Sequence, residues 1–232
     1  MTDLPRGEPV GSAAARGDLH AEIQSGGLLL RRPDPGRDTT PLFAATHGSP
    51  EAEVVWAYLG YGPWADRAAM RTWVESTLPS ADPFWWVIEA AGRPVGMATV
   101  MSRDVVHRRA EIGHIWYIPE VHRTTVNTEA AYLMIRECFD TLGCRRVEWK
   151  CDAVNQRSRM AALRLGFIFE GIFRHHMIIK GRNRDTAWFA MTEVDWAAAR
   201  PALEQWLYEI PRDASGRPVR SLAELRSPGS AN

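Results

Sequence analysis

The sequence predicts an α/β fold in the broad sense, a mixed and mostly antiparallel β-sheet covered by helices. Residues 83–119 carry three consecutive β-rich runs with turn signals between them, the mark of an antiparallel meander. Residues 119–192 then alternate helical and β-rich segments as helix, strand, helix and two strands. No G-x-G-x-x-G follows a strand and no G-x-x-x-x-G-K-[ST] occurs, which excludes the dinucleotide and P-loop fingerprints.

Each element has a local reason. "GLLLRRP" reads as a first strand, "PLFAATHG" and "EAEVVWAYL" as short helices, and "WADRAAMRTWVESTL" as an amphipathic helix with Ala68, Trp73 and Leu78 among its apolar positions. "PFWWVIEAAGRPVGMATVMS" is a hairpin about Ala-Gly-Arg-Pro, and "RAEIGHIWYIP" is a further strand ended by Pro119. A helix follows from Thr124 to Leu142, with Gly143 as its stop signal. "RRVEWKCD" is a strand, and "NQRSRMAALRL" is a helix ended at Gly166. "FIFEGIFRHHMIIKGRNRDTAWFAMT" is a β-rich pair turning at Gly181-Arg182-Asn183. The last helix, "TEVDWAAARPALEQWLYEI", starts on a Thr/Glu cap pattern and is kinked or interrupted at Pro201. One domain is expected over 26–210, with a polar tail at 1–25 and a second at 211–232, in which "SLAELR" forms at most a brief helical turn.

Composition narrows the function. Lysine plus arginine equals aspartate plus glutamate at 28 each, so no global field draws the chain to nucleic acid or to an anionic membrane. Only Lys150 and Lys180 are lysines. Cys138, Cys144 and Cys151 have no metal-ligand spacing and read as inert thiols of a reducing compartment. No apolar run approaches the ~18–20 residues of a membrane span and no secretory h-region opens the chain, so a cytoplasmic setting is expected.

Chemistry enters at "VHRTTVNTEAAYLM". A turn rich in donors leads into a helix whose first amides lack intrahelical partners, and the helix dipole favours an anion there. Arg123 adds a guanidinium fork suited to phosphate. The alternative is that Thr124, Asn127 or Thr128 caps the helix, with Glu129 helping. Asn155 and Ser158 open the next helix after a strand, where they also fit as cap and first-turn residue.

Together, "AEIGHIWYIPEVHRTTVNTEA", "NQRSRMAALRLGF", "GIFRHHMIIKGRNRDTAWFAMTEVDW" and the hairpin "WVIEAAGRPVGMATV" resemble the GCN5-related N-acetyltransferases (GNAT), most closely the RimJ/RimL-like group. The resemblance spans about residues 28–200. It implies a sheet of six to seven strands in which two central parallel strands, "HIWYI" and "RRVEWKC", splay around acetyl-CoA. The pyrophosphate would sit on the turn His122, Arg123, Thr124, Thr125, Val126, Asn127 and Thr128. Relatives carry Q/R-x-x-G-x-G/A there; here His122, Thr125 and Asn127 hold those positions, so both small residues are absent.

The resemblance further implies that Asn155 binds the pantetheine arm and that Ser158 lies near the sulfur as a proton donor. The tyrosine acid of many relatives is replaced by Ala162. Backbone amides around Trp116, Tyr117 and Ile118 would meet the oxyanion, and Glu111 is the base candidate, the alternative being a solvated strand carboxylate. His114 reaches the same face as Glu111 only if a bulge intervenes, and at most one of His175 and His176 faces the site. Trp64 is a candidate for the acceptor wall. The expected activity is acetyl transfer from acetyl-CoA to a primary amine, either a protein N-terminus or a small molecule, by a monomer or homodimer without metal. A catalytically idle acyl-CoA-binding module on the same fold is the alternative.

Overall fold

Residues Phe84–Ala90 and Arg93–Asp104 form strands β3 and β4 because the two residues between them, Ala91 and Gly92, both take positive φ (50° and 75°). Such a turn matches the twist of the strands it joins. The computed structural model describes residues 7–11, 17–214 and 216–226. Eight strands make one sheet in the order β1-β2-β3-β4-β5-β6-β8-β7. The others are Glu22–Ser25 (β1), Leu28–Arg31 (β2), Arg109–Tyr117 (β5), Arg146–Asp152 (β6), Ile168–Ile179 (β7) and Arg182–Thr192 (β8). Every neighbouring pair is antiparallel except β5 with β6.

The sheet thus has one strand more than the six to seven expected. The addition is β1, at the end of the stretch expected as a tail: Glu22–Ser25 pairs with Leu28–Arg31. At the other end, Leu222–Arg226 forms a short helix with Leu222 buried, and Arg226 donates to the carbonyls of Leu163 and Arg164. Residues 1–6, 12–16 and 227–232 of the expected tails lie outside the described residues. The β7–β8 turn falls on Lys180-Gly181, both at positive φ, one residue before the expected start.

Helices α1 (Pro35–Thr46), α2 (Pro50–Glu53) and α3 (Arg67–Thr77) are capped by the side chains of Asp34, Ser49 and Asp66. Helix α4 (Val126–Arg136) runs into a π-helical turn at Glu137–Thr141, and α5 (Gln156–Leu165) stops at Gly166, whose φ of 111° suits glycine. The cap of α6 (Glu193–Glu204) pairs Thr192 with Asp195 rather than with Glu193, and the helix continues through Pro201 to Glu204 before a π-helical turn. The terminal helix Leu222–Arg226 is α7.

Trp56, Trp86, Tyr132 and Phe189 are the largest fully buried side chains of a core that coats both faces of the central strands. Gly96 lets β4 meet β5, since a Cβ there would collide with the Trp116 carbonyl. None of the described helices is long and apolar enough to cross a membrane.

Candidate active site

The parallel pairing of β5 and β6 runs only from Arg109↔Arg146 to Ile112↔Trp149. Beyond it the strands part. On the other side of β5, two residues, His114 and Ile115, stand between Gly113 and Trp116 where only Ala98 stands between their partners Thr99 and Met97, so β5 carries one extra residue, with His114 at φ 52°. A cavity of about 430 Å³ occupies the opening. Its wall includes Glu111 and His114 of β5, Lys150 of β6, Asn155 and Ser158 of α5, His176 of β7 and Arg184 of β8. The bulge therefore does what alternation forbids and places His114 beside Glu111 on one cavity.

Glu111 is 8% exposed, so the solvated-carboxylate alternative does not hold. Lys150 Nζ lies 2.8 Å from Glu111 Oε2 and 3.3 Å from Glu148 Oε2, and sits 3.8 Å from the centre of the Trp188 ring. Burial pushes the Glu111 pKa up; the ammonium of Lys150 opposes the rise without cancelling it. Burial also holds His114 below the usual imidazole value, with the positive charge of Arg184 acting the same way. The His114 ring stacks on Tyr61 at 5.6 Å and meets Trp85 at 5.1 Å.

Asn155 caps α5, and both it and Ser158 line the cavity. Asn155 Oδ1 accepts the Ser158 backbone N–H at 3.1 Å, which caps α5 and leaves the side-chain NH2 free to donate. Ser158 Oγ accepts from Trp149 Nε1 at 2.9 Å, its hydroxyl also lies within hydrogen-bonding reach of the Cys151 thiol, and both residues line the cavity. Ala162 is fully buried on the packed face of α5.

The turn before α4 resolves the missing glycines. Thr125 is right-handed (φ −75°, ψ −16°), so its position needs no glycine; the left-handed residue is Arg123, at φ 64°. Thr125 makes no side-chain cap. Thr124 Oγ accepts from Val126 N at 3.3 Å and donates to the Val121 carbonyl at 2.7 Å. His122 Nε2 donates to the Tyr117 carbonyl at 3.2 Å, so that ring is tied back to the strand. Asn127 is half-buried, whereas His122, Arg123 and Thr124 are exposed.

Three expectations are corrected. Thr128 is fully buried and its hydroxyl accepts from Arg164 Nη1 at 2.6 Å, so it braces α4 against α5 rather than facing an anion. The Ile118 amide donates to the Val95 carbonyl at 2.8 Å and is consumed within the sheet; by the alternation of the antiparallel ladder Trp116, paired with Met97, also turns its amide toward β4, which leaves Tyr117 of the three proposed amides. Trp64 is absent from the cavity wall; it packs against Trp56, Tyr61 and Trp73, and its backbone N–H donates to His47 Nε2. Of the paired histidines, His176 lines the cavity while the His175 backbone is engaged by Asp185.

The rest of the wall comes from residues that carry no recognisable pattern: Tyr58, Leu59 and Gly60 after α2, and Met177 and Ile179 from β7. They meet because the β7–β8 hairpin folds back and Lys180 Nζ donates to the Trp56 carbonyl at 2.8 Å. The opening, the first amides of α4 that Thr125 does not cap, exposed Arg123 and the free side-chain NH2 of Asn155 fit a long phosphorylated thioester such as acetyl-CoA.

Comparison with known proteins agrees. The family described as acetyltransferase (GNAT) domain matches residues 27–168. The crystal structure of a GCN5-related N-acetyltransferase from Brucella melitensis is 35% identical, with a TM-score of 0.86 over 92% of this chain and 98% of that one. A GNAT-family chain from Chromobacterium violaceum ATCC 12472 is 33% identical, with a TM-score of 0.76 over 85% and 99%. Among curated relatives, the spermidine N(1)-acetyltransferase of Escherichia coli (strain K12) is 30% identical over 100 residues, 43% of this chain and 53% of that protein. YdaF of Bacillus subtilis (strain 168), whose name assigns it provisionally to ribosomal N-acetyltransfer, is 30% identical over 105 residues, 45% of this chain and 57% of its own. The chain thus spans little more than half the length of the curated relatives it matches. On the family match, and on the splayed parallel pair within it, the chain belongs to the GNAT acetyltransferase family.

Proposed function

We propose that the protein is an N-acetyltransferase of the RimJ/RimL-like group that moves an acetyl group from acetyl-CoA to a primary amine. The observation that carries this is the convergence of Glu111, Asn155 and Ser158 on one cavity where β5 leaves β6. Acetyl-CoA supplies the activated acyl group when bound. Exposed Arg123 and the first amides of α4 hold its phosphates, and the Asn155 side-chain NH2 donates to the pantetheine arm.

Glu111 takes the proton from the acceptor ammonium, directly or through a water. Its raised pKa makes it a stronger base than an exposed carboxylate, while Lys150 keeps enough of it ionised to act. Ser158 donates a hydrogen bond to the departing thiolate, with its oxygen oriented by Trp149, and the thiolate takes its proton from solvent. The amide of Tyr117 meets negative charge on the thioester oxygen. The three free, buried thiols support the expected reducing, cytoplasmic setting.

The idle-module reading has one observation in its favour: Ala162, where relatives place a phenol, is sealed in the core and offers no acid. Thiol release from acetyl-CoA in the presence of an amine panel separates the two. Release supports acetyl transfer; acetyl-CoA binding without release on any amine supports the idle module.

A further inference from the structure

The cavity wall contains one cation that no carboxylate touches, although its charge is felt by Glu111. Lys150 is paired with Glu111 and Glu148, but the guanidinium of Arg184 has no ion pair or hydrogen bond among the described residues. Its Nε is buried and unpartnered. The carboxylates near it are spent: Glu111 on Lys150, Asp152 on the Val154 amide, and Asp185 on the His175 amide and Asn183.

Arg184 lies opposite Met177 in the β7–β8 hairpin, on the side of the cavity walled by Tyr58, Gly60 and Ile179. No residue of the turn before α4 lines this cavity, so the site taken for the phosphates of acetyl-CoA does not account for it. Buried donors of a guanidinium are costly unless an acceptor meets them, and a planar fork is matched best by a carboxylate.

We infer that Arg184 binds a carboxylate carried by the amine acceptor, so that the substrate class is free amino acids rather than polyamines or uncharged amines. The inference rests on the acetyl-transfer reading of the same cavity. A volume of about 430 Å³ suits a small molecule. A polycation such as spermidine would bring a second ammonium against Arg184 and Lys150, with Glu111 already neutralised.

The test compares L-amino acids with their α-carboxamides, with spermidine as a third arm, for wild type, Arg184→Gln and Arg184→Lys. Turnover is followed by thiol release, and acceptor binding to the CoA-loaded protein by calorimetry. Wild type should prefer the best carboxylate over its carboxamide by roughly 10- to 100-fold in kcat/KM and in affinity, the worth of a charge-assisted hydrogen bond. Arg184→Gln should bring that ratio close to one, and Arg184→Lys should restore part of it. Equal use of carboxylate and carboxamide by wild type, a preference for spermidine, or a preference that survives in Arg184→Gln overturns the inference. If calorimetry shows the Arg184-dependent preference but no acceptor releases thiol, the acetyl-transfer reading fails and the carboxylate site stands.

Discussion

Lys150 Nζ stands 2.8 Å from Glu111 Oε2, joining two strands at the last point before they diverge. Removing Lys150 leaves Glu111 buried beside Glu148 with no cation in contact, so its pKa must rise further. For Lys150→Met the acid limb of the kcat/KM profile should move to higher pH by about one to three units, the usual effect of an opposite charge. Glu111→Gln should instead lower kcat by ~100-fold or more at all pH values. A Lys150→Met profile superimposable on wild type would remove Glu111 from the role of base.

Arg123 combines a left-handed backbone with a phosphate-binding side chain, and two substitutions separate these properties. Arg123→Gly should raise stability by about 1 kcal/mol, because glycine bears no Cβ penalty at φ 64°. Arg123→Ala should not. Both should weaken acetyl-CoA binding by ~10-fold through the lost charge-assisted contact. Thermal unfolding and a binding isotherm read the two effects separately; unchanged affinity in both variants would reject the phosphate role.

Ser158→Ala should lower kcat more than it raises KM for acetyl-CoA, since the lost hydroxyl serves the departing sulfur. It also strands Trp149 Nε1, at a cost of ~1–3 kcal/mol in unfolding free energy. A variant with wild-type kcat and reduced stability would leave Ser158 with a structural role alone.

His114 predicts a stability trend with a definite sign. Its folded pKa lies below 6.5, so folding favours the neutral ring. That contribution is intact above pH 6.5 and is lost as pH falls through the depressed folded value. The drop in Tm between pH 7.5 and 5 should therefore be smaller in His114→Phe, which keeps a ring between Tyr61 and Trp85. Equal drops would show that the ring does not titrate in this window.

The order of the strands was legible because apolar runs such as "FWWVI" and punctuation such as Ala91-Gly92 act locally. Strand β1 was not, since "EIQS" has one buried apolar residue and gains its structure only by pairing with β2. Asn155, Ser158 and Glu111 could be named because their spacing from helix starts and strand ends is local. Lys150, Arg184 and the Tyr58–Gly60 wall could not, because they reach the cavity through parallel register and the folding-back of a hairpin. His114 shows the boundary most clearly: its identity was readable, but its side of the sheet depended on one inserted residue. The positive φ at Arg123, and not at Thr125, is likewise a property of the folded turn.

The most direct test of the whole account is a titration of the protein with acetyl-CoA, followed by Tm and then by thiol release on an amine. Saturable binding should raise stability by ~2.7 kcal/mol at 100 times the dissociation constant, and thiol should appear only when amine is added. No shift at millimolar acetyl-CoA would contradict the assignment of the β5–β6 opening as an acetyl-CoA site.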